Sequence, residues 1–202
     1  MKKRYLFFNW GKETYALELR RVQSIISGVD LVKTNTKEIK VCLYNKKTLP
    51  VLDAITFYSI RETEFTSKTR VIVVQEQNYK FGLLVDEIQT VESVNDEDIK
   101  EADMYEKRFV TNVIGKAKLI DLSYFLTKKT AKWIVQATSI PTKVFATTPS
   151  SLATTQRLVS KQNLIEDIKL EVMNALVRAN LKEENGVHSD ELNKIYQMIN
   201  HI

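Results

Sequence analysis

The sequence predicts a mainly β protein, built as small β-barrels and followed by an α-helical extension. Three observations carry that expectation. Arg70–Val74 and Lys80–Val85 are β-branched, nearly continuous apolar runs separated by polar Gln75–Tyr79, which reads as a hairpin enclosed on both faces. Further short runs of the same kind recur at close spacing between turn residues, the pattern of small barrels. Beyond Pro149 the apolar residues step by three and four instead, which is helical.

Taken in order, Tyr5–Trp10 is a strand, Gly11–Glu13 turns, and Thr14–Leu19 returns with Tyr15, Leu17 and Leu19 alternating. Arg20–Ile26 follows and ends at Gly28. Residues 29–40 are polar and form a long loop or a short helix. Val41–Tyr44 and Thr48–Asp53 make a second hairpin, with Pro50 marking an edge or a bulge because it cannot donate to a ladder. Residues 54–61 suit a helical turn, and 62–69 a polar connection into the central hairpin. Gly82, inside a strand, predicts a bulge or a close backbone approach. Val85, Ile88, Val91 and Val94 are spaced by three, so a bend or bulge follows Asp86. Residues 95–99 form an acidic turn, and the span to Lys107 a loop. Phe109–Ile114 and Lys116–Asp121 supply a last hairpin, and Leu122–Leu126 a short helix start. Trp133–Val135 and Lys143–Phe145 look strand-like, with Pro141 between them. Leu158, Ile165, Ile168, Val172, Leu176 and Val177 then form an amphipathic stripe, closed by Asn185-Gly186. Ser189 caps a second helix bearing Leu192, Ile195, Tyr196 and Ile199.

Composition bounds the function. Apolar residues make up 44% and charged residues 27% of 202, which is ordinary for a soluble globular protein. Lys2-Lys3-Arg4 before Tyr5–Phe8 imitates a leader, but Asn9 and Gly11 break the apolar run too soon. No run of about 18 apolar residues is present to span a bilayer. Cys42 is the single cysteine, so there is no disulfide framework, and a cytoplasmic protein without membrane insertion is expected. The net charge of +5 is spread among acidic neighbours, a solubility feature rather than a nucleic-acid stripe. The only histidines are His188 and His201, and no metal-ligand spacing, phosphate loop or catalytic triad can be assembled. Neither a catalytic site nor a cofactor is expected.

Four segments in register resemble the CheW-like adaptor family of bacterial chemotaxis. The first is carried by Phe7, Gly11, Glu13, Tyr15, Leu17, Val22-Gln23 and Ile25-Ile26. The second is Leu49-Pro50-Val51-Leu52-Asp53. The third is the central hairpin, with Gly82, Val85, Asp86, Ile88 and Val91. The fourth is the closing stretch from Ile114 to Leu126. The similarity covers residues 3 to about 128 and implies two SH3-like β-barrel subdomains with a scaffolding, non-enzymatic role. It implies two partners: the cytoplasmic tip of a methyl-accepting chemoreceptor and the regulatory domain of the CheA histidine kinase. The family's receptor-side groove carries over to Arg21, Val22, Gln23 and Ile25, and to a hairpin at Lys40, Leu43, Asn45 and Lys46. That hairpin departs from the family pattern, in which glycine, asparagine, arginine and glycine stand at positions 40, 43, 45 and 46. Pro50, Asp53, Gly82, Val85 and Asp86 carry over as structural motif residues.

The expected organisation is a double-barrel domain over residues 1–128, a strand-like connection over 129–148 and a helical extension over 149–202. The extension's apolar face (Leu158, Ile165, Ile168, Val172, Leu176, Ile195 and Ile199) must be covered by the barrels, by self-association or by a further partner. Two other functions stay open: a CheW-like scaffold whose tail binds a different partner, and a small-barrel nucleic-acid-binding protein.

Overall fold

The computed structural model describes residues 2–27, 31–34, 39–53, 65–103, 109–147 and 161–181. The helical turn expected at 54–61, residues 62–64 of the polar connection, and the second tail helix with Ile195 and Ile199 lie outside these residues, as does Leu158.

Among the described residues, twelve strands form two six-stranded sheets. The first has the order β10 (Ile99–Glu101), β11 (Val110–Ile114), β12 (Ala117–Ile120), β2 (Glu13–Glu18), β1 (Lys2–Trp10), β9 (Glu87–Asn95). The second has the order β3 (Val22–Ile26), β7 (Arg70–Glu76), β8 (Tyr79–Val85), β6 (Lys47–Leu52), β5 (Ile39–Tyr44), β4 (Val32–Lys33). Both sheets curl. In the first, only the 3-10 turn Asp96–Asp98 separates the two end strands β9 and β10 along the chain. In the second, the Ser24 hydroxyl of end strand β3 donates to Tyr44 Oη of β5 at 2.9 Å, across three intervening strands.

Strands β1 and β7 have two buried faces, which explains their nearly continuous apolar runs. On β1, Tyr5 and Phe7 enter the cluster inside the first sheet, while Leu6, Phe8 and Trp10 enter the core between the sheets. On β7, Val71 and Val73 line the inside of the second sheet, and Ile72 and Val74 the shared core. Period-two geometry sends neighbours to opposite sides, so a strand apolar on both must separate two cores. The shared core holds Phe8, Trp10, Tyr15, Phe109 and Phe125, with ring centroids of linked pairs 5.1–6.2 Å apart.

Gly82 is the close approach that its position predicts. A Cβ there would overlap Val71 Cγ1 and come within 3.1 Å of Val51 Cγ2. In the turn before it, Gln77 rather than Asn78 takes the left-handed conformation, with φ of 51°. The chain bends at Asp86 between β8 and β9, and a register shift opposite Phe7/Phe8 leaves Gln89 as an extra residue, which accounts for the three-residue spacing.

Several expectations need correction. Residues 128–138 are not strand-like but form helix α1 (Lys128–Thr138), and Val144–Thr147 forms a short helix α2. Thr127 Oγ1 caps α1 by accepting from the Thr130 amide at 3.2 Å, and Thr130, Ile134 and Ala137 are buried at helical spacing. Packing on β5 and β6 outweighs the β preference of Trp133-Ile134-Val135. Val32–Lys33 and Ile99–Glu101 are short strands where loop or helix was expected. Arg20 and Arg21 lie in a 3-10 turn, Leu19–Arg21, before β3. Pro50 is in an interior strand rather than at an edge. It is tolerated because the pairing of β6 with β8 begins only at Val51, so its missing N–H falls where no second ladder runs.

In the tail, helix α3 (Lys161–Leu181) lies on β3 and the preceding 3-10 turn. Because Gly82 has no room for a methyl group, Gly82→Ala is expected to destabilise the fold by about 1–3 kcal/mol, read as a lower urea midpoint at unchanged slope.

Candidate functional site

The residues expected to meet a partner fall in two groups, and the curl of the second sheet brings them together. The first group is on β3. Val22 pairs with Val74 and Ser24 with Val73, so Gln23 is an extra residue in a bulge. The bulge resets the alternation: Val22 and Ile25, three residues apart, both reach the shared core and are 0% and 1% exposed. The structure therefore does not present Val22 and Ile25 as surface residues. Arg21 and Gln23 remain half-buried at the rim, and the Arg21 guanidinium pairs with the Glu76 carboxylate at the end of β7.

The second group is the β5–β6 hairpin. Tyr44 pairs with Lys47 across a two-residue turn, in which Asn45 and Lys46 have φ of 50° and 61°. Two left-handed residues in a hairpin turn match the twist of the strands, but a lysine there is strained where glycine would not be. Asn45 and Lys46 are exposed at the tip, and Leu43 beside them is 48% exposed. Through the Ser24–Tyr44 hydrogen bond this tip stands next to β3. Lys40 belongs elsewhere: its ammonium donates to Asp53 Oδ2 at 2.6 Å, and the Asp53 side chain is fully buried. A cation held by a buried carboxylate is structural, because losing either partner strands a charge in the core.

Of the motif residues, Asp86 ties the two sheets together with its neighbour Leu84, while Gly82 packs within the second sheet against Val71 and Val51. The Trp10 indole N–H donates to the Leu84 carbonyl at 2.6 Å. The Gly11 amide donates to Asp86 Oδ2 at 2.5 Å, and the Asp86 amide to the Asn9 carbonyl at 3.0 Å. Gly11 has φ of 65°, which lets the β1–β2 turn point its amide at the carboxylate. Val85 is buried in the shared core.

Helix α3 covers β3. Met173, Leu176 and Val177 are buried against it, Leu170 and Val172 partly so. Asn174 contributes both halves of its amide: Oδ1 accepts from the Ile25 N–H at 2.8 Å and Nδ2 donates to the Ile25 carbonyl at 2.9 Å. Asn174 and Met173 are absent from the sequence-based face. The available signal was a polar residue of poor helix propensity beside the apolar stripe. Ile168, assigned to that face, is instead 42% exposed. At 3.6 residues per turn it lies roughly 140° round the helix from Met173. The side chain of Ile165 lies outside the described residues.

Cys42, inside the second sheet, is 0% exposed, and burial pushes its thiol up to about 12. The neutral thiol therefore persists at pH 8, and alkylation by iodoacetamide is expected only upon unfolding, as a mass-resolved time course in urea would show. At the hairpin tip, Lys46→Gly is expected to stabilise the fold by up to about 1 kcal/mol through relief of the left-handed strain, measured as a raised denaturation midpoint.

The CheW-like domain family matches residues 4–123, from β1 through the last strand pair of the first sheet. None of the curated proteins compared with the chain matches it significantly. Among solved structures, the scaffolding protein TtCheW from Thermoanaerobacter tengcongensis superposes with a TM-score of 0.53 at 22% identity, covering 59% of this chain and 88% of that one. At that identity the superposition speaks for the fold, while the family match spans more than half of the sequence. The chain belongs to the CheW-like domain family.

Proposed function

We propose that the protein is a non-catalytic chemotaxis adaptor of the cytoplasm, coupling the cytoplasmic tips of methyl-accepting chemoreceptors to the regulatory domain of the CheA histidine kinase. In this reading each curled sheet closes as an SH3-like barrel, and the seam between β3 and the β5–β6 hairpin receives the receptor. The observation that carries it is the exposed hairpin tip, Leu43, Asn45 and Lys46, standing beside β3 within the family-matched region. A half-exposed leucine next to polar tip residues suits a small apolar contact rimmed by hydrogen-bonding groups. Of the four positions that differ from the family pattern, Lys40 is held by Asp53, while 43, 45 and 46 face outward. They tune which receptor surface fits, since the loss of an arginine fork at position 45 removes bidentate recognition of a carboxylate.

Co-sedimentation with a recombinant receptor tip and with the CheA regulatory domain tests the proposal. Leu43→Asp should weaken receptor binding by about tenfold or more, leave kinase binding intact, and keep thermal stability within about 0.5 kcal/mol because the site is exposed. Absence of both complexes, or an affinity for nucleic acid that falls steeply with salt, would overturn it.

A further inference from the structure

We infer that helix α3 is a displaceable in-chain occupant of the β3 edge, and that the helix which replaces it is an amphipathic helix of the receptor tip; the inference rests on the adaptor reading above. β3 is an end strand, and no strand pairs with its outer side among the described residues. An uncovered edge offers backbone donors and acceptors to any partner. Here Asn174 answers both groups of Ile25, with one acceptor and one donor at 2.8 and 2.9 Å. Met173, Leu176 and Val177 lie over Val22 and Ile25 in the same core. What the edge recognises is thus an apolar i, i+3, i+4 set with an amide side chain on its flank, a pattern that any amphipathic helix could carry.

The cover is an appendage to the family-matched domain, which makes it removable. α3 has 21 residues and is about 31 Å long, whereas the five residues of β3 span about 17 Å. Ile168, on the face turned away from Met173, is exposed. α3 also lies outside the family-matched residues 4–123 and is joined to α2 through thirteen intervening residues, 148–160. A helix attached in this way competes with an incoming one intramolecularly, and the apparent affinity for the incomer falls by the fraction of molecules in which the edge is open. The hairpin tip stays available throughout, so a receptor can engage Leu43 before α3 leaves.

The test uses full-length protein and a recombinant receptor tip. Leu176→Asp, which places a charge in the α3–β3 contact, should tighten binding by about tenfold, as expected when fewer than about a tenth of wild-type molecules are open. Asn174→Ala should tighten it less, and adding Leu43→Asp should cancel the gain. Hydrogen exchange should rise at the Ile25 amide in both α3 variants while the β7–β8 amides keep their protection. If wild type binds and the α3 variants bind equally or more weakly, α3 is a fixed cover and the inference fails while the adaptor reading stands. If no variant binds, including those with a loosened α3, both fall. Should Leu176→Asp lose its near-ultraviolet circular dichroism, Asn174→Ala, which removes only two hydrogen bonds, decides by the same criterion.

Discussion

The Trp10 indole crosses from the first sheet to the Leu84 carbonyl of the second, and much of the architecture follows from that bridge. An indole buried among Phe8, Tyr15, Phe109 and Phe125 needs an acceptor, because an unmet N–H in an apolar core costs about 1–3 kcal/mol. The acceptor lies on β8, which must therefore approach the end of β1. The Gly11 amide on Asp86 and the Asp86 amide on Asn9 fix the same junction from the adjoining residues. With three hydrogen bonds at one point, the two curled sheets have a defined relative placement. The surfaces they leave outside, β3 and the β5–β6 hairpin, are then determined too.

Much of this was legible in the sequence. Runs apolar on consecutive residues, as in Val71–Val74, announce a strand with two cores, and the structure has one core on each side. The irregular spacing from Val85 to Val94 announced a break in register. What escaped was set by tertiary context. Trp133-Ile134-Val135 has strand-like side chains, yet the cap at Thr127 and the docking of Ile134 and Ala137 make it helical. Lys40 reads as a surface charge until Asp53 is placed behind it, fully buried. Val22 and Ile25 look like docking residues by resemblance, and only the bulge at Gln23 shows why both point inward.

The tail illustrates a second limit. A stripe of apolar residues at helical steps tells that a helix has a sticky face, but not which turns will use it. Met173, Leu176 and Val177 dock, while Ile168 does not, because it lies about 140° round the helix from Met173. The edge also asks for a donor and an acceptor, so the central contact of an apolar face is the amide of Asn174.

The order of contacts along α3 has a mechanical consequence. Tension applied at the N-terminal end of this helix meets Leu170 first, then Met173 and Asn174, and Val177 last. Such loading unzips contacts in succession instead of shearing them all at once, and sequential rupture needs far less force. The direction in which the polypeptide runs thus decides how easily the helix would be peeled from β3.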